Sequence, residues 1–118
     1  MVTREKMQAV MEEYCRCESE GDKEGWLALF DPEIIHEDPV GGTNTNVGLE
    51  QIAAFWDRFP PNLKVELTEP LIKCGNEAIV YMRAQLGDPA NPHVTERIID
   101  NVWFNDEGKI TRVRAFYD

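Results

Sequence analysis

The sequence predicts an α+β domain in which three N-terminal helices pack on one face of a curved antiparallel sheet. Apolar residues recur at helical spacing only in the first half of the chain. In the second half they alternate with polar residues in four segments, and short turn signals rather than helices separate those segments. Helices first and a meander after is the order expected when helices cover one side of an antiparallel sheet. At 118 residues the chain is expected to form one domain over residues 1–118, large enough to hold a core and a pocket without staples.

The first helix runs from residue 3 to about 20. Met7, Val10, Met11, Tyr14 and Cys17 form its apolar stripe, and Thr3 and Gly21 are its capping residues. Asp22 caps a second short helix carrying Trp26, Leu27, Leu29 and Phe30, which Pro32 closes. Ile34 and Ile35 then form a brief extended piece. It leads into His36, Glu37, Asp38, Pro39 and Val40, where the proline excludes helical backbone at Asp38. A polar loop at 41–46 precedes a third helix marked by Leu49, Ile52, Ala53, Phe55 and Trp56 and ended by Pro60 and Pro61. Four strands follow. They are marked by Leu63, Val65 and Leu67; by Ala78, Val80, Met82, Ala84 and Leu86; by Val94, Ile98, Val102 and Phe104; and by Val113, Ala115 and Tyr117.

Composition narrows the partners. With 22 acidic against 12 basic residues the net charge is −10, a field that repels phosphate backbones and anionic lipid, so neither nucleic acid nor a membrane is an expected partner. The longest apolar runs, such as 26–30 and 78–82, are too short to span a bilayer, and MVTREKM opens the chain without a secretory pattern. Cys15, Cys17 and Cys74 read as reduced thiols; Cys74 has no neighbour at metal-ligand spacing and His36 and His93 lie far apart in sequence, so there is no zinc signature. A cytoplasmic protein without a metal is the expectation.

Three polar residues stand out. Asp100 shares strand parity with Ile98, Val102 and Phe104 and has Ile99 and Trp103 on the other face; desolvation there raises a carboxyl's pKa and keeps it a hydrogen-bond donor. The alternative is an edge position or pairing with Arg83, Arg97 or Arg112. Tyr14 lies mid-stripe on the first helix, either as a donor toward a pocket or as core packing with its hydroxyl at the rim. Asp38, ahead of a proline and two glycines, is either turn chemistry or a base at a pocket mouth. His36 shares parity with Asp38 and reads as a solvated or packing residue; Glu12, Glu13, Glu18 and Glu20 read as a solvated helix face. Aromatic and apolar residues that suit a wall for a ring-like ligand are Phe55, Trp56, Val40, Met82, Val102 and Tyr117, with Trp26, Phe30, Trp103 and Phe116 as further candidates. Parity favours Met82, Val102 and Tyr117 as inward.

Tyr14, Gly21-Asp22, Glu37-Asp38-Pro39-Val40-Gly41, the run from Gly48 through Phe55, Ile99-Asp100, Phe104 and Gly108-Lys109-Ile110 together resemble the bacterial Δ5-3-ketosteroid isomerase family, within the NTF2-like and SnoaL-like superfamily. The resemblance covers nearly the whole chain. It implies a cone-shaped, cystatin-like fold and a cofactor-free isomerase acting on a small apolar ketone or steroid. By the same resemblance Asp38 would move the proton, and Tyr14 and protonated Asp100 would meet the oxyanion, an arrangement for which this family is the type case. It also implies a departure, because the family often surrounds its tyrosine with further tyrosines where this chain has Phe30 and Trp56.

Related architectures also host cyclases, dehydratases, epoxide hydrolases and non-catalytic binding domains. A dehydratase calls for a His-Asp pair in the pocket and an epoxide hydrolase for an inward arginine, whereas parity turns Arg83 and Arg97 away. The outer sheet face, with Ile79, Tyr81, Ile99 and Trp103, is apolar enough to predict a homodimer.

Overall fold

A computed structural model describes residues 1–118. Helix α1 spans Arg4–Glu20, α2 Lys23–Leu27 and α3 Gly48–Trp56. The strands are β1 Phe30–Glu37, β2 Thr45–Val47, β3 Lys64–Leu67, β4 Ile72–Cys74, β5 Glu77–Leu86, β6 His93–Phe104 and β7 Ile110–Phe116. They form one sheet in the order β2-β1-β7-β6-β5-β3, with β4 also pairing β5. The helices pack on one face of this curved, unclosed sheet, and the apolar stripe of α1 joins the inward residues of β5, β6 and β7 in a single core.

The caps follow their residue chemistry. Thr3 accepts a bond from Lys6 N at 3.1 Å, and Gly21 adopts φ 73°, a left-handed conformation that glycine tolerates without the clash a Cβ would introduce. Asp22 accepts from Gly25 N at 2.9 Å and starts α2; a Cβ on Gly25 would lie 2.5 Å from that capping carboxyl.

Three sequence expectations change here. The second helix ends at Leu27 rather than continuing through Phe30, because Phe30 is recruited into β1 opposite Ile110 and the Leu29 carbonyl accepts from Ile110 N at 2.9 Å. The brief piece at Ile34 and Ile35 is an eight-residue strand. Pro32 is tolerated inside it because the register with β7 shifts between Phe30 and Ile35, leaving the proline out of the ladder. Finally, β1 runs parallel to β7, the one parallel pairing in the sheet, and Thr45 and Asn46 leave the expected loop to form β2 against it.

A bulge on β6 also redirects side chains. Met82 pairs with Ile98 but Ala84 pairs with Thr95, so the extra β6 residue reverses the alternation, and Thr95 rather than Val94 faces inward at that end.

Candidate functional site

Between α1, the end of α3 and the inner sheet face lies a cavity of about 360 Å³, within the size range of small-molecule sites. Its wall is mainly apolar, with Phe55, Phe59, Leu63, Val65, Met82 and Ile98 among its residues, and its polar members include Tyr14, Glu18, Asp38 and Asp100.

Each of these acids arrives from a different element. Asp100 sits at the middle of β6, paired with Val80 of β5 on one side and Ala115 of β7 on the other, so it stands at the centre of the sheet and is 4% exposed. The arginines that offered an alternative partner are engaged elsewhere: Arg83 with Glu66 and Glu96, Arg112 with Glu37, while Arg97 is exposed on the outer face. Burial first, and the charge of Asp38 second, push the Asp100 carboxyl well above the usual carboxylate range. That shift favours the neutral carboxylic acid, the form able to donate a hydrogen bond.

Tyr14 comes from the buried stripe of α1. Its ring lies 5.8 Å from Trp26 and 6.1 Å from Phe30, and burial followed by the charges of Glu18, Asp100 and Asp38 raises its phenol well above the ordinary value. Asp38 follows β1 at a corner whose Asp38–Pro39 peptide is cis. Burial raises its carboxyl, and a 2.6 Å hydrogen bond donated by the Tyr117 hydroxyl opposes that rise. Both carboxyls are thus raised, Asp100 well above the ordinary range and Asp38 against the opposing bond from Tyr117, so the two environments separate them.

The cavity takes in Tyr14, Asp38, Asp100, Phe55, Met82 and Tyr117 and leaves out Val102, Trp56 and Val40, together with the further candidates Trp26, Phe30, Trp103 and Phe116. Val102 points inward but is fully buried beneath the cavity as core, because the layers close up at that end of β6. Trp56 stacks against Trp26 at 5.0 Å and Phe59 at 4.9 Å instead of lining the space. Val40 is spent on backbone pairing, its N–H donating to the Ala115 carbonyl at 2.9 Å. Of the two residues standing where the resemblance implies tyrosines, Phe30 is an edge neighbour of Tyr14 and Trp56 is one ring removed, behind Trp26.

One further reading is corrected and one is narrowed. Glu18 is not on a solvated face: it lies one helical turn beyond Tyr14, so its side chain shares the inward stripe and joins the cavity wall. The four-residue spacing was the available signal, masked because Glu12, Glu13 and Glu20 surround it with acids of the outer face. Of the two readings of His36, solvated or packing, packing is the one observed. It is fully buried against Phe55 at 4.6 Å, with Nδ1 3.3 Å from the Asn46 amide, and it lies behind the cavity rather than on its wall. Glu13, Cys17 and Asp22 also gather closely, but Arg16 lies among them and bonds Glu13, Asp22 at 2.8 Å and Glu20 at 2.7 Å, so this group is an ion-pair network.

Three helices over an unclosed sheet, enclosing an apolar cavity with acids on its wall, define a pocket domain of NTF2-like architecture. The SnoaL-like domain family matches residues 11–113, and the chain belongs to that family. Among solved structures it is similar to a Δ5-3-ketosteroid isomerase from Mycobacterium sp., at 27% identity and TM-score 0.81, over 96% of this chain and 93% of that one. It also shares its fold with RV0760c from Mycobacterium tuberculosis, at 23% identity and TM-score 0.85 over 100% and 95% of the two chains. A second structure of that protein, in complex with estradiol-17beta-hemisuccinate, matches at 23% identity and TM-score 0.81 over 96% and 94%. No helix is long and apolar enough to cross a membrane.

Proposed function

We propose that this protein is a ketosteroid-isomerase-like enzyme that moves the double bond of a β,γ-unsaturated ketone into conjugation. The observation carrying this reading is the convergence of Asp38, Tyr14 and Asp100 on one apolar cavity, with Asp100 buried and free of any ion pair. Likeness to the mycobacterial isomerase supports the choice of substrate class.

In this mechanism the Asp38 carboxylate takes a proton from the carbon between the carbonyl and the double bond. The electron pair left behind delocalises through the double bond onto the ketone oxygen as a dienolate. Tyr14 and neutral Asp100 donate hydrogen bonds to that oxygen, and in a water-poor cavity such preorganised donors are worth several kcal/mol. Asp38 then returns its proton two carbons along. No electrons leave the substrate, so the reaction calls for no redox cofactor.

His36 lies off the cavity wall, which disfavours a His-Asp pair. Arg83 and Arg97 lie off it as well; the arginine on the wall, Arg58, bonds the Ala54 carbonyl and sits over the Phe55 ring, and it has no hydrogen bond or ion pair to Asp38 or Asp100, which disfavours an Asp-Arg-Asp relay. The test is to mix the purified protein with a Δ5-3-ketosteroid and follow the ultraviolet band of the conjugated enone. Turnover that disappears in Asp38→Asn supports the reading. Absence of both turnover and binding of an equilenin-like phenolic steroid rejects it in favour of a cyclase or a non-catalytic domain.

We also propose that the protein works in the cytoplasm, where its free cysteines stay reduced, as a homodimer through the outer sheet face. Ile99 and Phe116 remain 37% and 43% exposed there, which supports a covering copy. A solution mass equal to one chain at micromolar concentration rejects the dimer.

A further inference from the structure

Glu18 is the cavity acid that the proposed reaction does not use. Glu18 is half-buried on the cavity wall one helical turn beyond Tyr14, where hydrogen bonding with the Trp26 indole and the Tyr14 hydroxyl acts on its carboxyl. The indole nitrogen is itself fully buried and has no partner at full hydrogen-bond distance, which makes the Glu18 carboxyl its available acceptor. Aromatic rings take up the remaining sides of Tyr14, and a phenylalanine edge offers its hydroxyl no hydrogen bond.

We propose that Glu18, as a neutral carboxylic acid, is the positioning residue for Tyr14: its carbonyl oxygen accepts from Trp26 Nε1 and its O–H donates to Tyr14 Oη, leaving the single phenol proton to point into the cavity. This inference rests on the reading of Tyr14 as an oxyanion donor. It assigns to Trp26 and Glu18 the orienting role that neighbouring Phe30 cannot perform.

The chemistry runs one way. An indole only donates, so it selects the acceptor oxygen of the acid and turns the O–H toward Tyr14. A hydroxyl that is accepting from an acid is polarised as a donor, so the chain strengthens the bond Tyr14 makes to a developing oxyanion. The neutral form is consistent with the charges around Glu18. On α1 it faces Tyr14, with Cys15 nearby; on β6 it faces Asp100; beyond β1 it faces Asp38. With Tyr14, Cys15 and Asp100 neutral, the charge that repels a second one here is that of Asp38; burial is the larger cause that raises the Glu18 carboxyl well above the usual range, and hydrogen bonding with Trp26 and Tyr14 opposes the rise. The nearest cations, Arg58 after α3 and Lys64 at the start of β3, make no ion pair with Glu18: Arg58 bonds the Ala54 carbonyl and Lys64 the Ser19 carbonyl. An ionised Glu18 would instead accept the Tyr14 proton and withdraw that donor from the ligand.

Comparison of Glu18→Gln with Glu18→Leu separates these states. Glutamine keeps both an acceptor for Trp26 and a donor for Tyr14, so ketosteroid turnover and equilenin affinity should stay within about threefold of wild type. Leucine keeps the fold and removes the relay, so both should fall roughly tenfold or more, and the loss should vanish in a Tyr14→Phe background. Increases in both variants would mean an ionised Glu18 and overturn the proposal, as would an unchanged Glu18→Leu. A carbon-13 spectrum of the Glu18 carboxyl, assigned by its loss in Glu18→Gln, provides a readout that needs no turnover. A protonated shift at neutral pH supports the proposal and an ionised one overturns it. If wild type shows no isomerase activity but the protonated signal is present, it is the isomerase reading that fails and not the state of Glu18.

Discussion

The Tyr117 hydroxyl donates a 2.6 Å hydrogen bond to Asp38 Oδ1, joining the end of β7 to the corner after β1. The parallel pairing of β1 with β7 brings this about: Glu37 lies opposite Arg114, so the residues that follow each strand emerge at the same end of the sheet. An antiparallel pairing would have sent them to opposite ends.

Removing that bond should weaken the charged form of Asp38. In Tyr117→Phe the carboxyl loses the contact that opposes its burial, its pKa rises, and the acid limb of kcat/KM moves to higher pH. Tyr117 is 44% exposed, so solvent screening keeps the expected shift to about one pH unit or less. A pH–rate profile with an unmoved acid limb would show that Tyr117 does not tune the base.

Asp100 should cost stability while supporting activity. Its folded-state carboxyl holds its proton to higher pH than the unfolded chain does, so the folded state binds more protons. Stability is then lost as pH rises above the unfolded value of about 3.9, at up to about 1.4 kcal/mol per pH unit, until the folded carboxyl titrates. Asp100→Asn should therefore gain stability over wild type as pH increases, read as urea midpoints, while losing on the order of 2 to 4 kcal/mol of transition-state stabilisation. Tyr14→Phe should lose a comparable amount, with the double variant less than additive.

His36 carries the opposite sign. Burial pushes its imidazole down to about 4, so the unfolded chain binds a proton that the folded chain refuses. Its contribution is fully present above an unfolded value near about 6.5 and is lost as pH falls toward the folded value. In His36→Gln the stability difference from wild type should narrow or reverse between neutral pH and about pH 4.5, measured by denaturant midpoints. A difference that does not change with pH would mean that the fold leaves the His36 imidazole titrating as it does in the unfolded chain.

Ala84 lines the cavity from β5 and is buried. Ala84→Leu should extend a side chain into open space, reducing equilenin affinity by roughly tenfold or more with little change in melting temperature. A large fall in melting temperature with affinity intact would place Ala84 in close-packed core instead.

Glu18 and Thr95 mark the limit of reading function from periodicity. The stripe of α1 and the alternation along β5 and β6 are local properties, set by 3.6- and 2-residue repeats, and these alone turn Tyr14, Asp100 and Met82 inward. Thr95 faces the cavity because a bulge reversed the alternation, and a bulge depends on how β6 registers with β5. Phe30 continues the apolar pattern of α2 yet leaves the helix for a strand, because its partner Ile110 lies far along the chain and long-range pairing outweighs short-range spacing.

By itself, then, the sequence determined the helices-then-sheet architecture and which faces of α1, β5, β6 and β7 turn inward. Tertiary structure decided which inward residues meet empty space and which meet other side chains. Val102 and Met82 have the same parity signal, but the layers pack tightly over Val102 and stand apart over Met82. That separation is set by the volumes and angles of elements distant in sequence, so no local pattern carries it. Glu18 lies between the two cases: its four-residue spacing from Tyr14 turns it toward the stripe, but that it meets a cavity depends on Phe59, Leu63 and Val65, distant in sequence, sharing the wall with it.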